Sequence, residues 1–228
     1  MQVDEPHQWN ISVKQAREIQ NSLARSIRIR KIPQHLKTIA GCDVAYNKEL
    51  QRLIAGMVVL SYPDLTLIDE ITVDEPITFP YVPGYLSFRE APAILNLIKS
   101  YQKPVDLFIF DGHGIAHPRG FGIASHIGVL INKPSIGCAK KKLIGTYEIP
   151  NERKGSKTDL IYEGRVIGCA LRSKEKVKPI FVSIGHAVNL DDSVNFVLNC
   201  CSKYRLPEPT RLADIAVAKA KKAIHFQA

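Results

Sequence analysis

The sequence predicts an α/β chain built on a mixed sheet: an antiparallel three-strand meander continued by parallel strands, with helices on both faces. Three observations lead there. Apolar, β-favouring runs at 38–46, 52–60 and 65–73 follow one another across short polar turns, the pattern of a meander. Two later runs, 106–111 and 134–139, are nearly all apolar, as strands buried on both faces are. Helical periodicity lies between and around them, which calls for β-α-β crossovers that cover the sheet.

The elements follow in order. Residues 12–31 read as a helix capped by Ser12, with Val13, Ala16, Ile19, Gln20, Leu23 and Ile27 on one stripe and Arg17, Arg25, Arg28 and Arg30 on the other face. After the meander comes a stiff proline-rich loop, EPITFPYVPGY, then a helix from about Ser87 to Tyr101. Strand 106–111 leads through a glycine and histidine loop into a helix near 121–131, and strand 134–139 follows. Segments 158–162 and 165–171 flank Glu163-Gly164 as a hairpin, and 179–184 adds a strand. Helices at 191–204 and 209–225 close the chain, with Pro207 and Pro209 between them. No repeat, low-complexity tract or linker interrupts 1–228, so one domain is expected. This order matches the ribonuclease H-like fold, which by itself assigns no function.

Composition narrows the possibilities. The 228 residues hold 31 Lys and Arg against 22 Asp and Glu, a net charge of +9, which favours a polyanionic partner. No apolar stretch is long enough to span a membrane, and the acidic start MQVDEPHQWN is not a secretory signal. The 5 cysteines are odd in number and include no C-x-x-C pair, so they read as reduced, buried thiols in a cytoplasmic protein. A monomer is the expected state.

Three acids stand out. Asp43 interrupts an apolar strand, where aspartate is disfavoured. Asp111 ends the buried run LFIFD, and Glu90 sits early in a helix. Each has an ordinary explanation on its own: a turn before glycine for Asp111, the helix dipole for Glu90. Carboxylates that converge at strand ends need a cation between them, and oxygen-only ligands select a hard ion such as Mg²⁺ or Mn²⁺. The loop DGHGIAHPRGFGIASH is glycine-rich enough to let backbone approach a phosphate or a base closely. In it, His126 reads as a packed or capping residue. Lys140, after PSIGCA, can reach a phosphate. The rigid Pro80–Tyr85 segment presents an aromatic that can wedge into a base stack.

Together these blocks resemble the endonuclease V family. The matching pieces are GCDVAY at 41–46, FPYVPGYLSFRE at 79–90, FDGHGIAHPRGFGIASHIGV at 110–129, IGCAKKKLIG at 136–145, PIFVSIGH at 179–186 and PEPTRLAD at 207–214. They span almost the whole chain in the family's order.

The resemblance implies a Mg²⁺-dependent DNA repair endonuclease, with Mn²⁺ able to substitute. Its substrate is DNA containing deoxyinosine, nicked at the second phosphodiester bond 3′ to the lesion with the base left in place. By the same resemblance Asp43, Glu90 and Asp111 hold the metal, and Lys140 and Asp214 complete the catalytic set. Asp214 falls where some relatives have histidine, which puts histidine-based activation of water in doubt. Tyr81 is the tip of a wedge whose loop includes Pro83. Leu86, Gly112 and Ile123 line the pocket for the flipped base, and His117 lies beside the cut strand. A backbone N–H of Gly112 or Ile123 is the expected donor to the base carbonyl. Two alternatives stay open: an endoribonuclease acting on inosine RNA, since nothing in the residues separates the two sugars, and a non-catalytic binding protein for the lesion.

Overall fold

The computed structural model describes residues 1–32 and 35–225; positions 33, 34 and 226–228 of the expected domain lie outside the described residues. Fourteen stretches of regular structure are ordered around one eight-stranded sheet. The strands are β1 (Thr38–Asn47), β2 (Arg52–Ser61), β3 (Leu67–Pro76), β4 (Leu107–Phe110), β5 (Ser135–Ala139), β6 (Lys157–Tyr162), β7 (Arg165–Leu171) and β8 (Ile180–His186). Their order across the sheet is β3-β2-β1-β4-β5-β8-β7-β6. The meander β1-β2-β3 is antiparallel, β1-β4-β5 are parallel, and β8, β7 and β6 continue antiparallel, as the alternation of patterns predicts.

The five helices are α1 (Val13–Leu23), α2 (Leu86–Ser100), α3 (Ile123–Ile131), α4 (Leu190–Asn199) and α5 (Glu208–His225). Two cores sandwich the sheet. On one face Ala40, Cys42, Phe108 and Phe110 pack with Ile94, Leu97 and Ile98 of α2 and Ile127 of α3. On the other, Ile39, Ile109, Ile136 and Cys138 pack with Val194 and Val197 of α4 and Ala213 and Ala216 of α5. Adjacent strand residues thus alternate between faces. All five cysteines are free and buried. Among the described residues no helix is long and apolar enough to cross a membrane.

Two helices end earlier than their sequence pattern suggests. The first stops at Leu23, adds one 3-10 turn at Ala24–Ser26, and then runs extended. Hydrogen bonds to distant elements take over: Ala187 N–H donates to Arg28 O (2.7 Å) and Ile32 N–H to the Asp192 carboxylate (3.0 Å). Arg28 and Arg30 therefore do not share a helix face with Arg17. Likewise α4 stops at Asn199, where Cys200 O accepts Glu208 N–H at 2.8 Å. Pro209 is not between the last two helices but in the first turn of α5, where its missing N–H costs nothing.

Candidate active site and base-sized pocket

Strand register gathers the candidate residues. Cys42 and Phe110 are partners across β1 and β4, and Asp111 N–H continues that pairing onto Cys42 O at 3.3 Å. Asp43 and Asp111 each follow a residue of the α2/α3 core, so both project toward the α5 side. Lys140 follows Ala139 in the same way at the end of β5. Asp214 reaches the same place from α5. That helix comes close because Gly41 opposes its first turn, where a Cβ would stand 2.0 Å from the Pro209 carbonyl carbon.

The geometry is a charged cluster around Lys140. Its ammonium lies 2.6 Å from the Asp111 carboxylate and 3.9 Å from that of Asp214. Its backbone carbonyl accepts Arg205 Nη2–H at 2.7 Å. Burial, then the charge of Asp111, raises Asp43 to about 7. Burial, then Asp43 and Asp111, raises Glu90 to about 8. The three acids are close enough to repel one another, yet they do not close on a point: among the described residues no three His, Cys, Asp or Glu side chains stand at metal-holding geometry. Oxygen donors whose ionisation is opposed by burial and mutual repulsion are relieved by a hard divalent cation, so the residues present fit one.

Beside the acids is a cavity of about 160 Å³. Its volume is on the order of the ~150 Å³ void that takes a benzene ring, so one planar base is the right scale. Tyr81, Pro83, Leu86, Gly112, His117 and Ile123, the whole predicted substrate set, line it. Gly112 directly follows Asp111, so pocket and acids share one loop. A Cβ on Gly112 would stand 2.6 Å from Ile123 Cγ2, and space there depends on glycine. Tyr81 is 67% exposed at the rim, as a wedge requires.

The expected donors are only half right. Gly112 N–H is already spent on Phe110 O at 2.9 Å. Ile123 N–H, in the first turn of α3, has no partner among the described residues. Neither α3 nor α2 has a side-chain cap, so two helix N-termini face the pocket with their positive ends.

His117 differs from expectation as well. Its Nε2–H donates to Gly84 O (2.9 Å) and its Nδ1 accepts Arg119 N–H (3.3 Å). Burial, then Arg119, lowers it to about 4, so it is a neutral ring with both nitrogens engaged. Gly84 O also receives Arg119 Nη2–H (2.5 Å) and Gln20 Nε2–H (3.1 Å). Three side chains thus clamp the Tyr81 loop at a residue whose φ of +80° suits glycine. Arg119, Arg205 and Gln20 were not singled out from sequence. Gln20 did leave a signal, a polar residue on the buried stripe of α1. His126 is packed, as expected: it is buried among Trp9, Phe88 and Phe121 and bonded to Ser87 Oγ at 3.0 Å.

The sheet order and two-sided helix packing are those of the ribonuclease H-like nucleases, and the site falls where such a sheet presents its strand ends. More narrowly, the chain belongs to the endonuclease V family, whose model, described as Endonuclease V, matches residues 21–215. It is similar to endonuclease V of Roseiflexus sp. (strain RS-1), 47% identical over 92% of this chain and 93% of that one. The crystal structure of endonuclease V from Bacillus subtilis superposes with a TM-score of 0.95 at 31% identity, covering 100% of both chains. That of Ciona intestinalis endonuclease V, in complex with a 24-mer DNA containing an inosine followed by a ribo-adenosine, superposes at 0.81 with 32% identity over 93% of this chain and 98% of that one. The chain is a nuclease, and nucleases of this family generally use a divalent metal.

Proposed function

We propose that this protein is a Mg²⁺-dependent DNA repair endonuclease that nicks at the second phosphodiester bond 3′ to deoxyinosine and leaves the base in place. The observation that supports this most is the pocket: a base-sized hollow, walled by two uncapped helix N-termini, one residue from a candidate catalytic acid. Hypoxanthine offers a carbonyl oxygen where adenine has an amine. Ile123 N–H and the positive helix ends accept that oxygen and are left unpaired by adenine, which is how a buried polar wall discriminates. The Ciona relative's inosine-containing DNA is in keeping with this substrate.

Asp43, Glu90 and Asp111 would hold the metal, Mg²⁺ or Mn²⁺, with Asp214 at the rim. Bound there, the ion neutralises the phosphate and favours attack by water. Lys140 keeps its proton at neutral pH and places a fixed cation beside the charge that builds on the leaving oxygen. Tyr81 fills the gap left by the flipped base. Unpaired or poorly paired bases flip at least cost, so inosine favours itself before any contact is made. His117 acts through Gly84, holding the Tyr81 loop. We assign the protein one catalytic domain, a monomeric state and the cytoplasm, where its free thiols stay reduced.

The test is cleavage of a labelled duplex bearing one deoxyinosine, with and without Mg²⁺, beside Asp43→Ala and an inosine RNA strand. A Mg²⁺-dependent nick one nucleotide 3′ of the lesion, lost in the variant, is expected. Faster cleavage of the RNA would make it an endoribonuclease, and binding without a nick in any metal would leave only a recognition protein.

A further inference from the structure

The end of the sheet opposite the acids holds a second, larger cavity of about 920 Å³. It lies where β4 and β5 begin, between Lys103 and Lys133, and is bounded by Arg28 after α1 and by His186 at the end of β8. Asp111 and Lys140 stand roughly seven residues further along those strands, so at about 3.3 Å per residue the two sites are ~20 Å apart.

Its wall is basic and incompletely bonded. Lys103 is paired with Asp69 at 2.9 Å. Arg28, Arg30 and Lys133 have no acidic side-chain partner among the described residues, and Asp4 is the single acid in the lining described. His186 is 2% exposed. Its Nδ1 accepts Arg28 N–H at 3.4 Å, which puts the ring proton on Nε2. That buried N–H has no partner among the described residues. Burial, with Arg28 and Arg30 nearby, keeps the ring neutral, so it is a fixed donor in a positive field. A neutral donor beside unpaired guanidinium and ammonium groups matches a group with several anionic oxygens.

We propose that this cavity binds a phosphate group, received by the Nε2–H of His186 and the side chains of Arg28 and Lys133, at a site separate from the one that cuts nucleic acid. The phosphate can belong to a free anion or mononucleotide or to a nucleic-acid backbone, and the probes separate these sources. Long-range ¹H–¹⁵N spectra of the histidine rings, with His186 assigned through His186→Gln, are followed during titration with inorganic phosphate, with AMP and with an unmodified single-stranded deoxyoligonucleotide. Amide spectra and melting temperature check that the double variant Arg28→Gln/Lys133→Gln is folded. A saturable shift of the His186 Nε2 signal is expected, with affinity at least about tenfold weaker in the double variant. Response to phosphate or AMP identifies a small-molecule site, and response to the oligonucleotide alone identifies a second strand contact. No shift with any probe, or equal affinity in the double variant, overturns the proposal.

Discussion

At Lys140 two influences oppose each other. Partial burial disfavours the ammonium, while the hydrogen bond and charge of Asp111, aided by Asp43 and Asp214, hold its pKa above the ordinary lysine range. The second influence wins, so the cation persists through neutral pH. Lys140→Ala is then expected to lower kcat by about 10²–10³, the usual cost of one preorganised charge, with oligonucleotide affinity within about threefold. Single-turnover cleavage and a binding titration separate these, and weak binding with normal turnover would make Lys140 a mere phosphate contact. One strand away, Gly112→Val tests the pocket. The added methyls meet Ile123 where even a Cβ is at 2.6 Å, so the base loses its space. Cleavage at deoxyinosine should fall by at least about tenfold while Mg²⁺ affinity stays unchanged. Equal loss of both would remove Gly112 from the pocket.

Elements place these residues, and glycine decides how closely. Gly41 lets α5 press its first turn onto β1, which is how Asp214 arrives beside Lys140. Gly41→Ala puts a methyl into backbone that has no flexible end to move. It should destabilise the fold by about 1–3 kcal/mol and cut turnover more than an Ala substitution at Asp214 itself, because the whole helix shifts. Denaturant unfolding and steady-state kinetics measure the two, and a fully active, stable variant would show that α5 docks without that contact. Strands were legible because their apolar runs repeat with period two and end at turn residues. Asp43 stood out for the same reason, as the polar break in such a run. The limits of α1 and α4 were not legible, since what ends them is hydrogen bonding to Ala187 and Glu208 far along the chain. The clamp on Gly84 was hidden too: Arg119 and His117 donate to a backbone carbonyl, and such bonds leave no periodicity in a sequence.

Over the whole molecule the shifted groups work against each other with pH. Buried His117 and His186 are lowered to about 4, and burial beside His7 holds His126 well below its usual value. The unfolded chain takes up these protons first, so their stabilising effect is complete above about pH 6.5 and is lost as pH falls toward 4. Asp43 and Glu90, raised to about 7 and about 8, have the reverse sign. Here the folded chain holds the protons, and stability drains away as pH rises from about 4 to about 8. Three histidines outweigh two carboxylates in the range they share, so the metal-free protein should melt highest near pH 6.5 and decline on both sides. A divalent cation binds only the ionised carboxylates. It should therefore remove the alkaline decline and leave the acid limb alone. Calorimetric scans from about pH 4 to pH 9, with and without Mg²⁺, read this directly. The melting-temperature gain from Mg²⁺ should be near zero at about pH 5 and largest at about pH 8, and Asp43→Asn should flatten the alkaline limb without metal. A gain independent of pH would mean that Mg²⁺ binds somewhere other than these acids.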